Sequence, residues 1–391
     1  MSYTIGIICE YNPFHKGHKY QIDKIKEEYP NATIIGIMSG NIVQRGEFAI
    51  IDKYDRARIA MECGLNAVFE MPYPYCGATA EIFARAGVEI AYKLGCDFIC
   101  FGTEEAEIEE LEKTALIVDS EKFDLEIKEI MKDKTLSYIS SKEKALLRLG
   151  CKPTHSANDM LAIEYIRAIK RESIPMGYIT YKRLGAKYND KTLCDVMSAT
   201  AIRNKFYESG KILSVPSETE SFYDEIISKG RWLNVDCVNK FLQSYFIVGG
   251  EKLASVFDSN CEIRKIVKLS AKKSVSELEF IAGLSSKTYT SARIKRAMFY
   301  DVFNVLSIDS LPKFSMLLGA DHRGLSIIKK LDNDFVIITK HADGKKMSED
   351  EKTMLERVYL IDQMYFSFMH KKIAPDFAYK RMPLIKKDST D

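Results

Sequence analysis

The first 26 residues constrain the fold most strongly, because a strand pattern there passes through a short motif into a helix pattern. Residues 3–9 are rich in β-branched side chains, and apolar residues around Ile22 and Ile25 follow helical spacing. Between the two patterns lies Glu10-Tyr-Asn-Pro-Phe-His-Lys-Gly-His18. The start of a helix offers unpaired N–H groups and the positive end of the helix dipole. The sequence therefore predicts an anion site at this junction, suited to the phosphates of ATP.

The motif places His15 and His18 on either side of Gly17. This His-x-Gly-His spacing after a first strand resembles the signature of the nucleotidylyltransferase superfamily, whose members attack the α-phosphate of a nucleotide and release pyrophosphate. A surface turn with two unrelated histidines is one alternative, and a zinc site is another. The chain has six histidines and no His-Glu-x-x-His pattern around this pair, which argues against zinc. We predict that both imidazoles are catalytic and stabilise a charge-rich phosphoryl transition state.

Strand and helix patterns alternate through the first 210 residues, which predicts an α/β fold with a parallel sheet covered on both faces. After the first strand, the predicted strands cover residues 32–38, 67–71, 97–101 and 177–181, and the predicted helices cover residues 52–64, 78–94 and 158–170. Residues 106–150 are charged and helical with no strand pattern, so we interpret them as an insertion. The first domain is therefore predicted to span residues 1–210.

Residues 211–391 are predicted to form a second, mainly helical domain, with a late strand pattern at 335–339. The chain's formal net charge is +2, and residues 1–210 carry −3 whereas residues 211–391 carry +5. An excess of this size is compatible with an ordinary solvated surface. It is also compatible with one face that binds phosphates.

The composition is that of an ordinary globular protein. Hydrophobic residues make up 46% of the chain and charged residues 29%, which argues against disorder. We expect no contact with a membrane, because no apolar run is long enough to cross a bilayer and the N-terminus does not resemble a signal peptide. Nine cysteines without a C-x-x-C pair favour a reduced, cytoplasmic protein. The sequence does not indicate an oligomeric state.

Further candidate residues lie at the ends of predicted strands, where open α/β sheets bind ligands, or at the starts of predicted helices. Gly102 is either a turn at a strand end or a floor beneath the nucleotide. Asn158 is either the N-cap of a helix or a ligand contact, and Arg183 is either a solvated charge or a ligand contact. The segment Ser198-Ala-Thr-Ala-Ile-Arg203 is a phosphate cradle or a simple helix cap, with Ser198, Thr200 and Arg203 as its polar residues.

Two segments are candidates for contact with an acid substrate or an RNA acceptor. Gln44 and Arg45 lie in a glycine-containing loop on the same predicted edge, where a plain loop is the alternative. The segment Lys287-Thr-Tyr-Thr-Ser-Ala-Arg-Ile-Lys-Arg296 combines an aromatic residue with basic residues, which suits an RNA backbone and a stacked base. A solvated helical face explains the second pattern equally well. The basic candidates are Lys287, Arg293, Lys295 and Arg296.

Five motifs together resemble the tRNA(Met) cytidine acetate ligase family, over essentially the whole chain. They are Glu10-Tyr-Asn-Pro-Phe-His-x-Gly-His18, Met38-Ser-Gly-Asn-x-x-Gln-Arg-Gly-Glu47, Asp52-Lys-x-x-Arg56, Phe101-Gly-Thr-Glu104 and Tyr289-Thr-x-Ala-Arg293. The chain departs from the family pattern at Ala157-Asn-Asp159, where members often have Pro-Asn-Asn. Whether Asn158 or Asp159 contacts the nucleotide is therefore open. The family's Phe-Gly-Ser-Glu also becomes Phe-Gly-Thr-Glu, which keeps the hydroxyl.

The resemblance implies a Rossmann-like, HUP-type nucleotidylyltransferase domain followed by a tRNA-binding domain. It implies a cytoplasmic ligase that uses ATP and Mg²⁺ to convert acetate to acetyl-adenylate. The acetyl group would then pass to N4 of the wobble cytidine of elongator tRNA(Met). The family's ATP contacts fall on Ile8, Cys9, Glu10, Tyr11, Asn12, Pro13, Phe14, His15, Lys16, Gly17, His18, Lys19, Tyr20, Gln21, Gly102, Asn158 and Arg183.

Two other functions are compatible with the residues. One is a nucleotidylyltransferase that acts on a small phosphorylated metabolite, which would not need a basic second half. The other is an RNA-binding protein that keeps the pocket as a nucleotide sensor, which would not need intact histidines.

Overall fold

A computed structural model describes residues 2–133, 136, 138–183, 197–286, 288–331 and 334–386. Lys287, one of the predicted RNA contacts, lies outside these residues. The strands are β1 (Thr4–Cys9), β2 (Thr33–Ser39), β3 (Ile42–Val43), β4 (Glu47–Phe48), β5 (Ala67–Met71), β6 (Phe98–Thr103), β7 (Gly177–Lys182), β8 (Phe314–Ala320), β9 (Val336–Ile338) and β10 (Leu384–Ile385).

Helices connect and cover the strands. They are α1 (Lys16–Glu28), α2 (Lys53–Glu62), α3 (Ala80–Lys93), α4 (Ile108–Val118), α5 (Glu121–Ile130), α6 (Tyr138–Arg148), α7 (Ala157–Arg171), α8 (Ala199–Ser209), α9 (Glu220–Ser228), α10 (Val235–Val248), α11 (Cys261–Lys273), α12 (Glu277–Ala282), α13 (Ser291–Val302), α14 (His322–Lys330) and α15 (Glu349–Phe368).

The main sheet has the strand order β7-β6-β1-β2-β5-β8-β10, and β9 pairs with β8 on a branch from this path. Neighbouring strands from β7 to β5 are parallel. Strand β8 runs antiparallel to β5, and β9 and β10 run parallel to β8. The short strands β3 and β4 form a separate antiparallel hairpin. The predicted α/β class with a mainly parallel sheet is confirmed.

Both faces of the sheet are covered around β1. Alternate residues of a strand point to opposite faces, and Ile8 faces α3, where Gly87 leaves room for its side chain. Ile5 and Ile7, on the other face, are also buried. Every residue of β2, β5 and β8 is buried, as expected for central strands of a sheet covered on both sides.

The predicted insertion is helical and has a small core of its own. Helices α4, α5 and α6 occupy this region, and α4 also packs on α7. Its core contains Phe123, Ile127, Ile130 and Leu146. Across the described residues, no helix is both long and apolar enough to span a bilayer.

Strands β8, β9 and β10 join the sheet from the second half of the chain. A buried ion-pair cluster also joins residues of the two predicted regions. In it, Lys53 Nζ lies 2.6 Å from Glu70 Oε2 and 2.7 Å from Asp362 Oδ2. These three side chains tie α2 and β5 to α15. The sheet therefore draws on both predicted regions, and the domain boundary at residues 210 and 211 stays a prediction.

Candidate functional site

A cavity of about 280 Å³ opens at the carboxyl ends of β1, β6 and β7, where α1 and α8 begin. It brings together predicted residues that are far apart in the chain. The predicted residues that line it are Ile8, Cys9, Glu10, Tyr11, Asn12, His15, His18, Gln21, Gln44, Arg45, Gly102, Asn158, Arg183, Ser198, Thr200 and Arg203.

The two histidines form the N-terminal cap of α1. His15 is the N-cap residue, and its Nδ1 accepts a hydrogen bond from the Gly17 backbone N–H at 3.1 Å. His18 Nδ1 in turn accepts from the His15 backbone N–H at 3.2 Å. The rings stack with centroids 3.8 Å apart. Because each Nδ1 is an acceptor, each neutral ring carries its proton on Nε2, the nitrogen left free to donate to a ligand.

Burial keeps both rings uncharged at neutral pH. Burial, and after it the neighbouring positive charge of Arg183, lower the pKa of His15 to about 4. Burial, followed by the charges of His15 and Arg183, holds the pKa of His18 well below its usual range. Neutral imidazoles with Nε2–H groups suit a role as hydrogen-bond donors to phosphate oxygens.

Positive charge reaches the cavity from the start of α8. Ser198 caps this helix by accepting from the Ala201 N–H, which is the helix-cap alternative, and its contact with phosphate stays a prediction. Arg203 Nη2 donates to Thr200 Oγ1 at 3.2 Å, and its Nη1 donates to the Asn12 carbonyl at 2.8 Å. The arginine is thus held against the motif loop. Together with the N-terminus of α8, it makes this wall of the cavity favourable for anions.

The carboxylate of Glu10 also lines the cavity. Glu10 Oε1 accepts from the Gln44 N–H at 2.8 Å, which joins the motif loop to the β3–β4 hairpin. Burial raises the pKa of Glu10, although the Gln44 N–H and nearby arginines favour its charged form. The cavity therefore combines three arginines, Arg45, Arg183 and Arg203, with two carboxylates, Glu10 and Glu47.

Gly102 lies at the carboxyl end of β6, beneath the side chain of Arg183. A Cβ atom at Gly102 would lie 2.6 Å from Arg183 Cγ, so the glycine lets the arginine lie flat across the strand end. Glu104 holds Arg183 by an ion pair with a 4.0 Å separation, and Asn158 Nδ2 donates to the same carboxylate oxygen.

The N-cap assignment of Asn158 is wrong. Ser156 caps α7 by accepting from the Asp159 N–H. Asp159 is fully buried, and its carboxylate accepts from the backbone N–H groups of Glu104, Glu105 and Ala106 at 2.7–3.1 Å. The Asp159 carboxylate thus binds the backbone of the loop after β6, whereas Asn158 lines the cavity.

The other residues of the predicted ATP segment do not line the cavity. Phe14 is fully buried, the side chain of Lys16 is exposed, and Lys19 pairs with Asp23. Tyr20 lies beneath Lys24. Pro13 is buried within the motif loop, and Gly17 contributes its N–H to His15.

The predicted basic residues of α13 lie in ion pairs. Lys295 Nζ lies 2.6 Å from Glu47 Oε1, and Glu47 lines the cavity. Arg293 and Arg296 approach Asp258 at 2.9 and 3.8 Å. Gly46, with φ of +70°, lets the hairpin pack directly on the backbone of α13. The segment therefore adjoins the cavity mouth without lining it.

Sequence reasoning missed two groups of residues. The first is an apolar wall of the cavity made by Val43, Phe83, Leu161 and Tyr165; it follows ordinary core patterns. The second is Arg56, whose guanidinium is buried and donates to the Ile51, Glu10, Ser39 and Gly40 carbonyls. Arg56 belongs to the Asp52-Lys-x-x-Arg56 motif, and this membership is the sequence signal that could have identified it.

Known proteins resemble the chain along nearly its full length. A profile described as HIGH Nucleotidyl Transferase matches residues 1–379. A tRNA(Met) cytidine acetate ligase of Thermosipho africanus is 33% identical over 94% of this chain and 92% of the relative. One of Caldicellulosiruptor bescii is 30% identical over 95% of this chain and 96% of the relative.

A solved structure agrees with these matches. Thermotoga maritima TmcAL bound with alpha-thio ATP superposes with a TM-score of 0.88 at 25% identity, over 98% of this chain and 100% of that chain. The two histidines that line the cavity are those of the His-x-Gly-His motif. The chain belongs to the HIGH nucleotidyl transferase family and, within it, to the tRNA(Met) cytidine acetate ligase family.

Proposed function

We propose that the protein uses ATP to activate acetate as acetyl-adenylate and transfers the acetyl group to N4 of the wobble cytidine of elongator tRNA(Met). The observation that carries the proposal is the pair of neutral histidines at the α1 N-terminus, which share one cavity with the start of α8 and its Arg203. The names of the relatives and the alpha-thio ATP bound to the Thermotoga maritima protein support it.

In the first step, an acetate oxygen attacks the α-phosphorus, and the bond to the leaving pyrophosphate breaks. We expect the Nε2–H groups of His15 and His18 to donate to phosphate oxygens as negative charge develops on them. We expect Arg203, Ser198 and Thr200 to hold the β- and γ-phosphates, and their position on the cavity wall at the start of α8 supports this role. Positioning acetate in line with the bond that breaks supplies much of the remaining rate.

In the second step, the N4 amine of the cytidine attacks the acetyl carbonyl carbon, AMP leaves, and the amine loses a proton. The mixed anhydride must be shielded from water until the base arrives. We propose that the base enters beside Gln44 and Arg45, because both residues line the cavity and lie next to α13. The wobble base must leave its stack to reach this position.

Mg²⁺ remains part of the proposal as a companion of the ATP phosphates. Among the described residues, no group of three or more His, Cys, Asp or Glu side chains is arranged to hold a metal ion. Phosphate oxygens and water would therefore supply most of its ligands, as is common for this ion. Bound in this way, it would offset phosphate charge.

The proposal is tested by acetate-dependent exchange of labelled pyrophosphate into ATP, followed by transfer of labelled acetate to unmodified elongator tRNA(Met). A tRNA with a substituted wobble cytidine is the matched control. We expect exchange, and label only in the unaltered tRNA. Exchange without transfer would refute the acceptor, and no exchange with acetate would refute the activation step.

A further inference from the structure

A strongly basic helix face lies beyond the α13 segment. On α11, the residues Ile263, Val267 and Ala271 are buried. The opposite side carries Arg264, Lys265, Lys268 and Lys272 at helical spacing, and these four residues, the α11 basic face, line a shallow groove. Lys265 and Lys272 are exposed, and so is Lys273 beside them. A helix of this length extends for about 20 Å, enough to follow several phosphates of an RNA strand.

Acidic residues near the groove do not neutralise it. Glu251 contacts Lys268 at 3.2 Å and Arg264 at 3.7 Å, so one carboxylate is shared by two cations. Glu262, on the first turn of α11, accepts from the Tyr289 hydroxyl at 2.9 Å. Lys265 and Lys272 therefore add positive charge that these two carboxylates do not balance.

The N-terminal end of α11 is connected to the cavity wall through α13. Asn260 caps α11 and donates to the Tyr289 hydroxyl at 2.9 Å. Two residues earlier, Asp258 pairs with Arg293 of α13. Lys295 of the same helix pairs with Glu47 of the cavity wall. One packed series of residues thus runs from the cavity mouth, across α13, to α11.

We propose that the α11 basic face binds the phosphate backbone of the RNA whose base enters the cavity. The RNA's identity as tRNA rests on the proposed function. The charge of the face suits a polyanion. The helix that carries it is joined at its N-terminal end to Tyr289 and α13, and α13 packs on the hairpin beside which the acceptor base is proposed to enter. The backbone flanking the reacting base would lie along α11, while the paired cations of α13 lie nearer the cavity.

The test is the double variant Lys265→Ala/Lys272→Ala, measured for tRNA binding across a range of salt concentrations and for acetate-dependent pyrophosphate exchange. The control is Lys329→Ala/Lys330→Ala, two exposed lysines of α14, a helix that packs on β2, β5 and β8. Removing two phosphate contacts should weaken binding about tenfold and reduce the salt slope by about 1.5. Exchange should not change, and Lys265→Arg/Lys272→Arg should retain binding.

Affinity and salt slope equal to those of the unchanged protein would overturn the proposal. Equal weakening by the α14 control would also overturn it, because the effect would then reflect overall charge. The two proposals fail in different assays. Absence of pyrophosphate exchange in the unchanged protein would refute the proposed activity, whereas the tRNA-binding measurement tests the α11 basic face directly.

Discussion

The two ring nitrogens of His18 have separate tasks, and a pair of substitutions can separate them. Nδ1 accepts from the His15 N–H and completes the helix cap, whereas Nε2–H is proposed to donate to phosphate. In His18→Asn, the amide oxygen can occupy the place of Nδ1, and nothing replaces Nε2. In His18→Gln, the longer side chain can bring an amide N–H toward the place of Nε2, and nothing replaces Nδ1.

The expected losses differ in size and in kind. Removing one donor to a developing oxyanion costs roughly 100- to 1,000-fold in rate, about 2.7–4 kcal/mol. Losing a capping bond costs about 1 kcal/mol of stability. His18→Asn should therefore unfold nearly like the unchanged protein and lose most of its activity. His18→Gln should be less stable and keep more activity, and His18→Ala should lose both.

The assay is acetate-dependent pyrophosphate exchange at saturating ATP, run beside urea unfolding of the same preparations. Saturation separates a slower chemical step from weaker ATP binding. An exchange rate in His18→Asn close to that of the unchanged protein would refute the donor role. A large loss of stability in the same variant would refute the separation of the two nitrogens.

Three further predictions concern the first histidine, the Lys53 ion-pair cluster and the start of α7. The pKa of His15 is about 4 in the fold against 6.5 normally, so its contribution to stability is complete above pH 6.5. About 3 kcal/mol of this contribution should be lost as the pH falls toward 4; unfolding of His15→Asn, which keeps a cap, should depend less on pH, and an identical pH dependence would contradict this. Lys53→Met leaves Glu70 and Asp362 without their cation and should cost about 3–5 kcal/mol in urea unfolding. The exposed pair removed by Lys352→Ala should cost under about 1 kcal/mol, and equal losses would contradict a specific role of burial. Asn158→Ala should raise the KM for ATP several-fold with little change in stability, whereas Asp159→Ala should lower the free energy of unfolding by about 2 kcal/mol; the reverse pattern would assign the nucleotide contact to Asp159.

The sequence predicted the elements whose patterns are local. Strand β1, the motif and helix α1 are consecutive, so β-branched content and helical spacing identify them without knowledge of distant partners. The predicted ends of the parallel strands also placed Gly102 and Arg183 near His15, because parallel strands end at one edge of the sheet.

Sequence patterns predicted the structure less well where two nearby residues can serve the same role or where the partner is distant in the chain. Asn158 and Ser156 are both good caps, and the backbone geometry selects Ser156 while Asp159 turns to the loop after β6. Strand β8 was missed, because its apolar run resembles any buried segment and its antiparallel partner β5 lies about 250 residues earlier in the chain. The ion pairs of α13 are equally non-local, since sequence alone does not place Lys295 beside Glu47.

The motif loop shows why distant residues matter to the chemistry. Its carbonyl groups at Glu10, Asn12 and Phe14 each accept a hydrogen bond, from Arg56, Arg203 and Tyr223 respectively. A free carbonyl oxygen beside the cavity would repel a phosphate, and these donors offset that negative charge. Two of the three donors lie about 190 and 209 residues further along the chain. The anion site therefore depends on residues far along the chain as well as on the motif. We expect Tyr223→Phe to raise the Kd for ATP in an equilibrium titration, because the Phe14 carbonyl loses its donor; an unchanged Kd would contradict this role.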